Sequence, residues 1–127
     1  MAALTYLDTH VAAWLYAGRI DLLSRRAAHT IEEEELLISP MVVLELQYLR
    51  ETGRLAVGAD AIVRALQAQI GLRVCDLAFP TVLGAALEQG WTRDPFDRII
   101  VGHAAAAGRS LISKDRGMRR HYRRTVW

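Results

Sequence analysis

Four acidic residues, Asp8, Glu45, Asp97 and Asp115, occupy positions where a carboxylate could do chemistry. Asp8 ends the short apolar run Leu4-Thr5-Tyr6-Leu7, and Asp115 follows Ser110-Leu111-Ile112-Ser113. Val42, Glu45, Leu46 and Leu49 recur at i, i+3, i+4 and i+7, a helical stripe that is apolar apart from Glu45 and so faces a core. A carboxylate on such a stripe needs a partner, because burying an unpaired charge is costly. A buried arginine, an edge position reaching water, or a metal ion shared with other carboxylates would each meet that need. Asp97 belongs to the string Asp94-Pro95-Phe96-Asp97-Arg98-Ile99-Ile100. There Asp94 is placed as a helix N-cap and Pro95 as the first helical residue. Asp97 then falls in the first turn, where the helix dipole favours a carboxylate whether its role is structural or chemical. It sits one position off the buried face of Phe96, Ile99, Ile100, His103 and Ala107. We assign Asp94 mainly to capping and Asp97 mainly to chemistry. Asp8 has the same double reading, since it can cap a helix beginning near His10.

The elements that must position these acids alternate in type. After the strand Leu4–Leu7, a helix runs from His10 to Ala17 and stops at Gly18. A second is expected from an Asp21 N-cap toward the acid run Glu32–Glu35, itself read as a solvated face or loop. Leu36-Leu37-Ile38 is a strand. Ser39 and Pro40 open the helix that carries Glu45, and Gly53 closes it. Ala59, Ile62, Val63, Leu66 and Ile70 mark a helix ended by Gly71. Leu72–Cys75 is a third strand, and Asp76 a cap for a helix reaching Gly90. The Asp94–Pro95 helix ends at Gly108, the strand Ser110–Ser113 follows, and Tyr122–Trp127 is a fifth strand candidate. Strands alternating with helices imply an α/β fold with a mainly parallel sheet of four to five strands. In such sheets ligands bind beyond the carboxyl ends of the strands, where strand order reverses. Asp8 and Asp115 share one crevice if their strands are neighbours there.

The chain has 127 residues, 52% of them apolar, which is the size of one domain, taken as residues 1–127. No apolar run approaches the roughly 18 residues that span a bilayer. The opening residues Met1-Ala2-Ala3-Leu4 lack the basic start and apolar stretch of a secretory signal. The one cysteine, Cys75, cannot form an internal disulfide and reads as a small core residue, and no Cys/His cluster has zinc spacing. A cytoplasmic protein fits. The net charge of +2 conceals an asymmetry: from Arg109 onward seven basic residues accompany one acid, Asp115, while the rest holds nine basic and thirteen acidic residues. A basic end on an acidic domain points to an anionic partner, nucleic acid first, or to a solubilising tail. Lys114, Arg116, Arg119, Arg120, Arg123 and Arg124 are the candidate contacts to such a nucleic acid, with simple surface charge the alternative for Lys114 and Arg116. Trp14, Trp91 and Trp127 are read as core or dimer packing, with base stacking the alternative. His10 and His103 are read as structural.

The segments Leu4–His10, Ser39–Leu46, Asp94–Ile100 and Leu111–Asp115 together resemble the four signature blocks of PIN-domain ribonucleases, most closely the VapC-type toxins of bacterial toxin–antitoxin pairs. The resemblance spans nearly the whole chain, in order and at the usual spacing. It implies an α/β/α sandwich and metal-binding roles for Asp8, Glu45, Asp97 and Asp115. Thr9 matches a position that helps order the site. Trp91-Thr92-Arg93 stand where the family often has a histidine, which is expected to alter substrate contacts. The resemblance further implies a VapB-type antitoxin that inserts a side chain, often arginine, into the acidic pocket, where it stands in for the metal's charge. A homodimer is also implied.

The residue types agree with that chemistry. Oxygen-only ligands suit Mg²⁺ or Mn²⁺ and not zinc or copper. Crowded carboxylates need an ion to stay ionised together. A metal-activated water attacking an RNA phosphodiester is the expected reaction. A receiver-type phosphoacceptor domain is disfavoured because Asp8 is followed by Thr9 rather than by a second acid, and an Asp-x-Asp phosphatase because residue 10 is His. A catalytically silent PIN-like binding module is the remaining alternative, and it would typically lack one of the four acids.

Overall fold

In the computed structural model, which describes residues 3–127, the chain forms a five-stranded parallel sheet in the order β3-β2-β1-β4-β5. Met1 and Ala2, which open the segment expected to lack a signal, lie outside the described residues. The strands are β1 (Leu4–Leu7), β2 (Glu35–Ile38), β3 (Arg73–Val74), β4 (Ser110–Ile112) and β5 (Thr125–Val126). The helices are α1 (Thr9–Tyr16), α2 (Arg25–Glu33), α3 (Pro40–Glu51), α4 (Ala59–Ile70), α5 (Phe79–Leu87), α6 (Pro95–Ala107) and α7 (Arg116–His121).

The chain leaves β1 toward β2 and β3, then returns past β1 to β4 and β5, so the switch point lies between β1 and β4. Right-handed crossovers in the two directions put helices on opposite faces of the sheet. Accordingly α1, α3 and α4 pack on one another, and α5 packs on α6. Tyr6 meets His103 of α6, with ring centroids 6.3 Å apart. The core is the strand apolar residues with one stripe from each long helix: Leu7, Ile38, Leu46, Ile62, Leu66, Ile100, Leu111 and Ile112 are all nearly inaccessible. α3 begins with the expected Ser39 cap, whose hydroxyl accepts from the Met41 N–H at 3.0 Å and bonds His103 Nδ1 at 2.8 Å. That bond makes His103 structural, as expected, and its burial lowers its pKa.

Several boundaries differ from the sequence reading. Asp21 caps no helix. It sits in a 3-10 turn, Ile20–Leu22, paired with Arg19, and α2 starts later behind the Ser24 hydroxyl. Serine at 24 competes for the cap because its short side chain reaches the Ala27 N–H at 3.0 Å. Asp76 caps nothing either; α5 begins after Ala78 with no side-chain cap. The acid run is a solvated face rather than a loop: Glu32 and Glu33 end α2 and Glu35 starts β2, and all three are exposed. The basic end is not a tail: it contains α7, anchored by Met118, which is fully buried.

Candidate active site

The parallel pairing of β1 with β4 aligns Leu7 with Ile112, and the Asp8 N–H donates to the Ile112 carbonyl at 3.0 Å. That register sets Asp8 beside Ser113. The Ser113 hydroxyl donates to Asp8 Oδ2 at 2.6 Å, and the Thr9 N–H donates to Asp8 Oδ1 at 2.8 Å. Both oxygens of Asp8 are thus held, and the residue is only 8% exposed. It is the N-cap of α1, one of the two roles weighed for it, and its carboxylate also faces the cavity described next. Burial raises its pKa against the opposing pull of the two hydrogen bonds.

Asp8, Glu45, Asp94, Asp97 and Asp115 line one open cavity of about 460 Å³, together with Lys114, His10 and Trp14. Four elements supply the acids. Asp8 comes from the β1–α1 junction and Glu45 from α3. Asp94 and Asp97 come from the start of α6, and Asp115 from the β4–α7 junction. Among the described residues Glu45 has no arginine partner. Its Oε1 accepts from the Thr9 hydroxyl, and Thr9 directly follows Asp8 in the chain. Asp94 caps α6 through the Phe96 and Asp97 N–H groups at 2.8 and 3.3 Å. Asp115 caps α7 through the Met118 N–H at 2.8 Å, and its own N–H donates to the Ser113 hydroxyl at 3.0 Å.

The electrostatics record the crowding. Asp97, half-buried, is pushed from the ordinary 3.8 up to about 7, first by burial and then by Asp94, Asp8, Asp115 and Glu45. Glu45 is raised mainly by burial, with Asp8 and Asp94 adding to it against the Thr9 bond. Asp8, Glu45 and Asp97 are thus each harder to ionise, first because they are buried and then because neighbouring acids face them. A cation in the cavity would reverse that effect for all of them at once. Among the described residues no three ligand side chains close on a single point. The arrangement is an acidic rim around open space, which suits Mg²⁺: that ion keeps several waters and uses a few carboxylates plus substrate phosphate rather than a full protein cage. The all-oxygen donor set fits the same ion.

The remaining expectations divide. Lys114 lines the acidic cavity. Arg116 and Arg120 line an adjoining cavity that shares Asp97 and Asp115 with it, whereas Arg119 lines neither. His10, read as structural, is exposed at the rim of the acidic cavity, 6.1 Å from Trp14 between ring centroids. Ser113 was missed. A serine two residues before Asp115 becomes conspicuous only when β4 is known to pair with β1. Cys75 is buried as expected, with its sulfur 3.0 Å from the Tyr6 hydroxyl.

The family model for the PIN domain matches residues 5–124. Ribonuclease VapC22 of Mycobacterium tuberculosis is 32% identical over 127 residues, covering 95% of this chain and 96% of that protein. A crystal structure of VapBC2 from Rickettsia felis bound to a DNA fragment from their promoter has a similar fold, with TM-score 0.63, 17% identity and 92% coverage of both chains. VapBC-1 from nontypeable Haemophilus influenzae is similar at TM-score 0.55 and 17% identity, covering 95% of this chain and 91% of that one. No helix among the described residues is long and apolar enough to cross a membrane. The extent of the family match and the identity to a relative over nearly its full length lead to one conclusion: this chain belongs to the PIN domain family.

Proposed function

We propose that the chain is a metal-dependent endoribonuclease, the toxin of a VapBC-type toxin–antitoxin pair, acting in the cytoplasm as one catalytic domain over residues 1–127. The observation that carries this reading is the convergence of Asp8, Glu45, Asp97 and Asp115 on one cavity at the switch point of the sheet. The name of the Mycobacterium relative supports RNA as the substrate, and the VapBC complexes support a VapB-type antitoxin as partner. A homodimer is part of the same proposal.

Asp8, Asp97 and Asp115 would hold the ion, with Glu45 completing the set or orienting the water. A bound Mg²⁺ or Mn²⁺ lowers the pKa of a water and stabilises charge developing on the phosphate. The protein's own contribution is order and field. Ser113 and the Thr9 N–H fix the Asp8 carboxylate, and the Thr9 hydroxyl fixes Glu45. Lys114 supplies an ammonium at the rim, where an RNA phosphate arrives against a wall of acids. The water oxygen bonds to phosphorus in line with the 3′ oxygen, the P–O3′ bond breaks, and the departing oxygen takes up a proton. The products carry a 5′-phosphate and a 3′-hydroxyl.

Incubated with a mixed pool of structured RNAs, the purified chain is expected to release discrete fragments with Mg²⁺ or Mn²⁺ and none in EDTA. Cleavage that persists in EDTA would remove the metal from the reading. No cleavage in any condition, by folded protein free of antitoxin, would favour a silent binding module.

A further inference from the structure

Trp91 and His121 form a parallel aromatic pair beside the carboxylate cavity, with ring centroids 5.2 Å apart and planes within 7°. Trp91 is half-buried and His121 exposed. Three contacts hold the indole flat. Its N–H donates to Gln89 Oε1 at 2.9 Å. Its six-membered ring lies over Gly117 of α7, where an added Cβ would come within 2.7 Å of a ring carbon. His121, one turn further along α7, covers part of the ring. Gly117 therefore makes room for the pair, since any larger residue would displace either the indole or the nearby Asp115 carboxylate.

The pair stands between two cavities. One, of about 420 Å³, is lined by Trp91, Arg116, Arg120 and His121 and shares Asp97 and Asp115 with the acidic cavity. The other, of about 470 Å³, lies past His121 and holds Arg123 and Arg124. The track thus runs from the acids, across the stacked rings, to further arginines. Among the described residues none of these four guanidiniums has a carboxylate partner. Flat aromatic faces flanked by free cations match the repeat of a single nucleic-acid strand, which offers a base face and a phosphate at each step.

We propose that Trp91 and His121, with Arg116 and Arg120, form the subsite for the nucleotide next to the cleaved bond of a single-stranded RNA. The base stacks on the ring pair, its phosphates meet Arg116 and Arg120, and the strand continues toward Arg123 and Arg124. This rests on the nuclease reading for what lies at the acidic end of the track. It narrows the substrate to RNA that is unpaired beside the cut, because a base inside a duplex already has both faces covered.

The test measures binding apart from cleavage. In the Asp8→Asn background with Mg²⁺, a labelled single-stranded RNA of about 12 nucleotides is titrated against the full chain, alongside a duplex of the same length. The single strand is expected to bind more tightly than the duplex. His121→Ala is expected to weaken it about tenfold, and Trp91→Leu to do so more than Trp91→Phe, which keeps a ring. The double variant Arg116→Gln/Arg120→Gln is expected to lower the salt dependence of binding, with a log–log slope smaller by about 1.4. His121 is exposed, so its variant carries the test even if Trp91 variants fold poorly. Unchanged affinity in His121→Ala, or no RNA binding by the parent chain, overturns the proposal. Variants that keep RNA affinity and lose affinity for a VapB-type antitoxin overturn it in favour of a protein-docking face. If the variants lose RNA binding as expected while the wild-type chain never cleaves, the subsite is upheld and the carboxylate reading alone fails.

Discussion

Asp8→Asn is expected to lower RNA cleavage about a thousandfold, equivalent to roughly 4 kcal/mol of barrier, while the protein stays folded. The substitution keeps the shape and the acceptor that the Thr9 N–H uses, so the cap of α1 survives. On the other side, an asparagine NH₂ would face the Ser113 hydroxyl, which now donates to Asp8 Oδ2 and accepts from the Asp115 N–H. A serine oxygen has two acceptor positions and a rotatable proton, so it can accept from the new donor and turn its own proton elsewhere. The asparagine also removes a carboxylate whose ionisation burial opposes. Nothing structural is then lost except the charge, and the charge is what a cation would need. Initial cleavage rates with Mg²⁺, beside circular dichroism melts of both proteins, check this. Full activity in the variant would end the assignment of Asp8 as a principal ligand. A large loss of melting temperature would mean that Asp8 acts through the fold.

Asp97→Asn is expected to do two opposite things. Cleavage should fall by a factor similar to that for Asp8, whereas the metal-free protein should become more stable. Asp97 has a folded pKa of about 7 against an ordinary 3.8. A group whose pKa is raised on folding stabilises the folded state fully below its unfolded pKa and loses that contribution as pH rises through the folded value. In EDTA the wild-type chain should therefore lose stability steadily between about pH 4 and about pH 7 and level off above. The full difference would be on the order of 4 kcal/mol, but Asp97 is half open to water, and screening brings the expected gain to about 1–2 kcal/mol. That corresponds to a rise of about 4–8 °C in melting temperature at neutral pH. The asparagine variant should show less of the slope, not none of it, because Asp8 and Glu45 are raised as well. Saturating Mg²⁺ should stabilise the wild type more than the variant, since an ion bound only by the folded state shifts the equilibrium toward it. Melting curves across pH, with EDTA and with Mg²⁺, read all three effects. A variant no more stable than wild type in EDTA would show that burial and the neighbouring carboxylates do not raise the Asp97 pKa in solution.

The sequence by itself determined a good deal here. The alternation of short apolar runs with amphipathic segments gave an α/β fold and a parallel sheet, because the two periods are set by local geometry alone. Glu45 could be singled out since a charge on an apolar helical stripe is locally anomalous, and Asp94 could be read as a cap from its neighbour Pro95. Local rules failed where two residues competed for one job: Ser24 displaced Asp21, and Asp76 had no helix within reach. α7 was not foreseen because its apolar content is one residue, Met118, and its helical state depends on burying that side chain and on the Asp115 cap.

What only the tertiary structure decided was company. That β1 and β4 are neighbours is a matter of strand order, which no local period encodes. Yet this neighbourhood brings Asp8 to Asp115, sets Ser113 against Asp8, and gathers five separate acids into one cluster where burial first, and the other four carboxylates second, raise the pKa of Asp97. The same holds for Trp91 and His121, thirty positions apart in the chain and stacked in space. Side-chain type fixes what a residue can do. Which charges and rings it meets depends on distance through space, and distance through space is a property of the folded chain alone.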